Sequence, residues 1–213
     1  MKAELHLHTS RYSACAVHSP EEMLVGLVAR GYEAVFLTEH DAVWSRKDTA
    51  RLQEHFPQVR IFGGLEKTLY HDDREGFQHL LILGTHSADY IFMDDAEAIL
   101  QRAADEGLTT ILAHPFRHEG SSHILDEGLY PDALEYRSCN HTAGQAEKSR
   151  AAAEKLGLQL VNAGDTHGLR MLGRFWTDTD EDFDSPTELR DMLLAGRYQR
   201  REAQRPAARL VEE

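Results

Sequence analysis

Apolar positions along the chain fall into short runs that alternate with longer amphipathic stretches. Seven runs rich in Leu, Ile, Val or Phe read as strands: AELHLHT, AVFLTEH, RIFGGLE, HLLILGT, TTILAHP, ALEYRSC and LQLVNAGDTH. Helical segments lie between most of them. The first, SPEEMLVGLVARG, carries Ser19 as N-cap, Pro20 at the first helical position, Glu22 to complete a capping box and Gly31 as a stop. Three more read RKDTARLQEHF, DDAEAILQRAADEG and AGQAEKSRAAAEKLG, and SPTELRDMLLAG repeats the Ser-Pro-x-Glu start and the Gly stop. Strands alternating with helices imply parallel pairing through right-handed crossovers, and about seven units predict a closed or nearly closed, TIM-barrel-like β/α barrel. A doubly wound open sheet is the alternative. No Pro/Gly/Ser-rich linker divides the chain, so residues 1–196 read as one domain, and the charged, aperiodic stretch 197–213 as a C-terminal tail.

Composition narrows the partners. With 41% hydrophobic and 28% charged residues, the chain of 213 residues is too apolar to be disordered and has no apolar run of membrane-spanning length. Its first residues are polar where a signal peptide needs an apolar stretch. Cys15 and Cys139 form neither a CxxC pair nor a disulfide framework, in keeping with a reducing, cytoplasmic compartment. A formal net charge of -13 opposes binding to nucleic acid, a polyanion. A small anionic substrate held through bound cations is compatible with it, because metals dominate a local field.

The 13 histidines change the picture. His6 and His8 are two apart on a strand, so their imidazoles share one face, a chelating geometry. His40 ends the second strand, Glu66 the third, His114 the fifth, and Asp165 with His167 the seventh. All C-terminal strand ends of a parallel β/α fold open onto one face, where these groups converge. His79 breaks the rule by opening the fourth run, which must therefore be antiparallel or begin near the mouth. Taken singly, each is as easily a satisfied strand-end histidine, a turn cap or a solvated carboxylate; as a set they point to a metal centre. His18, His55, His71, His86, His118, His123 and His141 fall in predicted loops or helices and read as ordinary. Imidazoles with a few carboxylates suit Zn, Mn or Fe rather than Ca or Mg. Eight candidate ligands exceed what one ion takes, so two or three divalent ions are expected, with Glu66 a natural bridge.

The motifs HLHT at 6–9, TEHD at 38–41, GGLE at 63–66, HLLILG at 79–84, AHPFR at 113–117 and GDTHG at 164–168 occur in the order found in the PHP (polymerase and histidinol phosphatase) superfamily, which the chain resembles. The resemblance implies a distorted (β/α)7 barrel with a trinuclear site at the strand C-termini. In that scheme His6, His8, Glu66 and Asp165 hold one metal, Glu66 bridges to a second bound by His79 and His114, and His40 with His167 holds a third. The family usually supplies a further Asp or His shortly after HxHT; here Cys15 falls nearest, with His18 as the alternative. TEHD stands where the family often has TDHD. Glu39 is not expected to be a ligand, while Asp41 either orients an imidazole or moves a proton, or is simply a turn residue.

The implied activity is that of a hydrolase: a metal-bridging hydroxide attacks a phosphoester in line, with Glu66, Asp165 and Asp41 as the catalytic carboxylates. Arg117 and Arg174 are the candidate phosphate-binding residues, each equally readable as a surface salt bridge, with Arg137 and His141 as weaker candidates. A small-molecule phosphatase or phosphodiesterase fits the acidic chain best. A nuclease-type PHP domain, which calls for basic residues around the site, and a non-catalytic metal-binding regulatory domain are the alternatives. An amidohydrolase shares His-x-His but fits Glu66, His79 and GDTH less well. Substrate specificity is assigned to loops 117–130 and 168–176, which carry no recognisable motif.

Overall fold

A computed structural model describes residues 1–71 and 76–203. In chain order the elements are β1 (Lys2–Leu7), α1 (Pro20–Val28), β2 (Ala34–Leu37), α2 (Arg46–His55), β3 (Arg60–Tyr70), β4 (Phe77–Leu83), a 3-10 turn (Ala88–Phe92), α3 (Ala96–Asp105), β5 (Thr109–Ala113), α4 (His123–Asp126), β6 (Ala133–Arg137), α5 (Ala143–Leu156), β7 (Gln159–Asn162), β8 (Phe175–Thr179), α6 (Pro186–Leu194) and β9 (Tyr198–Glu202). Local chemistry sets the helix ends. Ser19 Oγ accepts from the Glu22 N–H and Glu22 returns the bond to the Ser19 N–H at 2.8 Å, while α5 opens on a Thr142/Gln145 capping box and stops at Gly157, φ 70°.

The strands form one sheet in the order β7-β6-β5-β4-β3-β2-β1-β8-β9, curled into a nearly closed barrel. Pairing is parallel for β1–β2, β2–β3, β5–β6 and β6–β7, whereas β4 runs antiparallel to both β3 and β5. That reversal is why His79, at the start of its run, stands at the same mouth as the ends of the parallel strands. The expected barrel is therefore present, with a distortion at β4.

Closure differs at the two ends. At the mouth, backbone bonds from the His8 N–H to Thr166 O (3.0 Å) and from the Thr166 N–H to His6 O (3.1 Å) join β1 to the segment after β7. At the floor, β8 pairs with β1 instead, and β7 meets β8 and β9 through side chains. Thr177 donates to Asn162 O at 2.8 Å, Asn162 to Arg201 O at 2.9 Å and Tyr198 to Leu160 O at 2.7 Å.

Strands β8 and β9 lie outside the seven runs read from the sequence. FWTDT and YQRRE are short and polar, and β9 is exposed along most of its length, so neither shows a hydrophobic alternation. The chain does not fray after Gly196: residues 198–202 pair antiparallel with β8, from Thr179↔Tyr198 to Phe175↔Glu202. Residues 204–213 of the expected tail lie outside the described residues.

Inward positions alternate along each strand. Ala3, Leu5, Ala34, Phe36, Leu81, Leu83, Ile111, Ala113, Ala133 and Val161 fill the lower barrel, and Leu189, Met192 and Leu193 of α6 plug its base. Each fully buried Leu or Phe of this set contributes about 1.5–3 kcal/mol. Arg190 fixes α6 by gripping Asp132 at 2.9 Å, and Asp132 also accepts from the Thr110 N–H at 2.9 Å. Two further apolar layers pack outside the sheet, one under α1 and α2, the other under α3 and α5.

Candidate metal centre

A slip in the β1–β2 register between Glu4 and Leu7 re-aims the end of β1. Leu5 faces the barrel core and Leu7 the outer layer, but His6 and His8 both project into the mouth. There they meet Glu66, which β3 carries inward and which is fully buried.

Glu66 divides the histidines between its two oxygens. Oε2 lies 3.1 Å from His6 Nε2, 3.0 Å from His8 Nε2 and 3.0 Å from His40 Nδ1; Oε1 lies 2.8 Å from His79 Nδ1 and 3.1 Å from His114 Nε2. Asp165 Oδ1 stands 3.6 Å from both His6 Nε2 and His8 Nε2. The ring of His8 stacks between those of His40 (4.4 Å) and His167 (4.3 Å). Three groups each bring their donor atoms within 4.8 Å of one another: His6, His8 and Glu66; His40, Glu66 and His79; and His8, His40 and His167.

This donor set fits divalent cations. Glu66 Oε2 is buried among three ring nitrogens yet has no hydrogen-bond partner among the described residues, and the Nε2 atoms of His6 and His8 face each other at 3.0 Å. Converging lone pairs at such spacing call for a cation between them. Electrostatics agree. Burial opposes charge on every member, but His6 holds Glu66 and Asp165 well below the usual carboxylate range, and the two carboxylates in turn raise His6 and His8. Burial and the neighbouring His8 push His167 down to about 4. Backbone strain concentrates here too: His114 (φ 29°), Asp41 (φ 45°) and Asp165 (φ 45°) all take left-handed conformations at strand ends.

The eight ligands expected from the sequence thus meet in one place, in an arrangement compatible with Glu66 as a bridge. Other expected residues fall elsewhere. Cys15 lines the cavity above the histidines but joins none of the three groups, and burial together with nearby Glu66 and Asp165 raises its thiol. His18 Nδ1 is buried with no hydrogen-bond partner among the described residues, and its ring lies beside Gly168. Asp41 Oδ1 accepts from the Thr68 N–H at 2.9 Å and stands 3.9 Å from Lys67, the geometry of a turn residue. Arg117 lines the cavity, 3.8 Å from Asp165 Oδ2. Arg174 does not: it is exposed and its guanidinium lies 6.0 Å from the Phe175 ring, because the chain has already turned away from the mouth to enter β8. Arg137 is drawn to Glu202 (3.4 Å), and His141 bridges the carbonyls of Pro115 and Tyr136.

Glu135, Asn140 and Ser13, which no motif signalled, also shape the site, as does Glu39 of TEHD, which the motif left without a role. Glu135, inward-facing on β6, is 3.0 Å from His6 Nδ1 and accepts from the His114 N–H at 2.7 Å. Asn140 donates to Asp165 Oδ2 at 2.8 Å. Glu39 accepts from the Ser13 hydroxyl (2.6 Å) and the Trp44 indole (3.1 Å), which places Ser13 Oγ 3.3 Å from His8 Nδ1. A lone acid inside an apolar strand, as in ALEYR, is the one signal that reading could have used.

Residues 144–198, which include Asp165 and His167, match the family model described as PHP-associated. No curated protein matches the chain. Solved structures share its fold. A two-domain protein from Bacteroides vulgatus, described as containing a predicted PHP-like metal-dependent phosphoesterase, superposes with TM-score 0.70 at 15% identity over 95% of this chain, which spans only 64% of that protein. PsfC from Pseudomonas syringae gives 0.65 at 16% identity, covering 95% and 91% of the two chains. An amidohydrolase from Chromobacterium violaceum, with bound sulfate and no metal, gives 0.61 at 15% identity, covering 94% and 98%. The chain thus shares the barrel fold of these structures, and its segment 144–198 is similar to the PHP-associated family model.

Proposed function

We propose that the protein is a metal-dependent phosphoesterase acting on a small phosphorylated molecule. The observation that carries this reading is Glu66, one buried carboxylate within 3.1 Å of five imidazole nitrogens at the open end of the barrel. Two or three divalent cations, of which Zn, Mn or Fe suit the imidazole-rich set, supply Lewis acidity toward phosphoryl oxygens and acidify water when bound. His6, His8 and Asp165 hold one side of Glu66, and His79 and His114 the other; His40 and His167 flank His8.

The remaining residues serve the substrate. Arg117, two-thirds buried at the rim, offers a guanidinium to phosphate oxygens once a substrate competes with its long 3.8 Å contact to Asp165. Phe77 and Met171 give the cavity, about 430 Å³, apolar walls for the rest of a small molecule. The acidic balance of the chain disfavours a nucleic acid partner, and two free cysteines suit a cytoplasmic setting. Among the described residues no helix is long and apolar enough to cross a membrane.

The deciding experiment loads the protein with Mn or Zn and follows phosphate release from p-nitrophenyl phosphate, its bis-ester and a panel of metabolite monoesters, with His114→Ala as control. Metal-dependent turnover lost in the variant is the expected result. Failure of fully loaded protein on the whole panel moves the reading to a non-catalytic metal-binding domain.

A further inference from the structure

We infer that Glu135 is a positioning residue that sets the ring tautomer of His6 and the backbone of His114 through a single carboxylate. The inference rests on the metal-centre reading and adds a residue outside its ligand set. Glu135 is fully buried at an inward position of β6, opposite Val161. Its Oε1 is 3.0 Å from His6 Nδ1, and its Oε2 accepts from the His114 N–H at 2.7 Å. Both contacts are short, and the two partners come from opposite sides of the barrel, β1 and the end of β5.

A carboxylate only accepts hydrogen bonds, so the 3.0 Å contact requires the hydrogen of His6 on Nδ1. In the neutral ring that a cation requires, Nε2 is then left with the free lone pair, and that is the atom facing Glu66 and Asp165 at 3.1 and 3.6 Å. The second bond acts on geometry. His114 takes the left-handed φ of 29°, strained for a residue with a side chain, and this turn swings its Nε2 to within 3.1 Å of Glu66. Fixing its N–H holds the turn. Directly after Glu135 the β6–β7 register slips, between Glu135 and Arg137, so the strand is bent where the carboxylate must reach both partners.

Glutamine has the size of glutamate but one acceptor and one donor, and so it can satisfy only one of the two bonds. With its oxygen toward the His114 N–H, its amide group donates to His6 Nδ1 and moves the ring hydrogen to Nε2, the ligating atom. With its oxygen toward His6, two donors meet at His114.

The test measures zinc affinity by chelator competition, together with the His6 ring-nitrogen resonances of zinc-loaded, 15N-labelled protein, for wild type, Glu135→Gln and Glu135→Asp. Expected are an Nδ1–H tautomer of His6 in the wild type, and zinc affinity about 10–100-fold weaker in Glu135→Gln with native circular dichroism. Glu135→Asp, which keeps the acceptor-only group, should retain the tautomer and recover part of the affinity. Zinc binding by Glu135→Gln within twofold of wild type, with the His6 signals unmoved, overturns the positioning role and leaves the metal centre standing. An Nε2–H tautomer in the wild type overturns it even if both variants fail to fold. A wild type that takes up no zinc, manganese or iron removes the metal reading and this inference with it.

Discussion

His79 Nδ1 lies 2.8 Å from Glu66 Oε1, and the β3–β4 hairpin holds the pair together by opposing Thr68 to His79. The pairing is antiparallel, so residues near the end of β3 and the start of β4 stand side by side over many backbone bonds. Glu66→Gln should leave this hairpin intact while removing the anion shared among the histidines. We expect loss of at least one metal equivalent and a fall in turnover of about 10²-fold or more, about 2.7 kcal/mol of transition-state stabilisation. Metal content by elemental analysis, measured beside kcat/KM, checks it; a variant with full metal and full activity contradicts the bridging role.

Metal should also hold the fold together. The candidate ligands from β1, β3, β4 and the ends of β2, β5 and β7 converge on one point, and only the folded chain presents them together. At free metal about 100 times the dissociation constant the gain is about 2.7 kcal/mol. Chelator should therefore lower Tm, and restored Zn or Mn should raise it again. An unchanged Tm across that cycle would count against the centre.

The two arginines separate by position. Arg117→Ala should raise KM about tenfold with kcat little changed, as expected for a lost charged contact to substrate. Arg174→Ala should leave both constants unaltered, since its guanidinium lies against Phe175. Steady-state kinetics on the best substrate of the panel distinguish them, and equal effects would mean that the cavity has been misassigned.

Acid stability should report on His141. Burial lowers its pKa below 6.5, so the unfolded chain binds the proton more readily than the folded one. Stability from this group is complete above pH 6.5 and is lost as pH falls toward the lowered folded value. Urea unfolding of metal-free protein between pH 5 and 7.5 should give a steeper pH slope for wild type than for His141→Gln. Identical slopes would show that the ring titrates alike in both states.

At the barrel base, Gly84 (φ 98°) lies directly against Pro186 at the start of α6. A methyl group there meets the proline ring, and the backbone is one that L residues avoid. Gly84→Ala should cost about 1–3 kcal/mol and lower Tm by several degrees, without changing metal affinity. Thermal melts with and without metal check both halves.

How far the sequence reveals this protein depends on what each residue does. The convergence of the eight candidate ligands was legible because strand ends of a β/α barrel share a rim, and even the exception, His79, pointed to its cause, the reversed β4. Glu135 and Asn140 were not, because their roles lie in bonds to His6, His114 and Asp165, partners far apart in the chain that only folding brings near. Arg174 shows the converse: closeness in sequence to GDTHG says nothing of direction once the chain turns into β8. That strand and β9 escaped because FWTDT and YQRRE take their place through pairing and side-chain bonds rather than through an apolar face.

The unequal closure of the barrel makes it resemble a collar sewn at the rim and buttoned at the hem. Parting the buttons, the Thr177, Asn162 and Tyr198 side-chain bonds, separates β7 from the paired β8 and β9 and loosens the floor, while the backbone stitches at His6, His8 and Thr166 keep the rim round. Opening at the base, or sequence change there, should therefore leave the spacing of the His6, His8 and Glu66 donor atoms at the rim undisturbed.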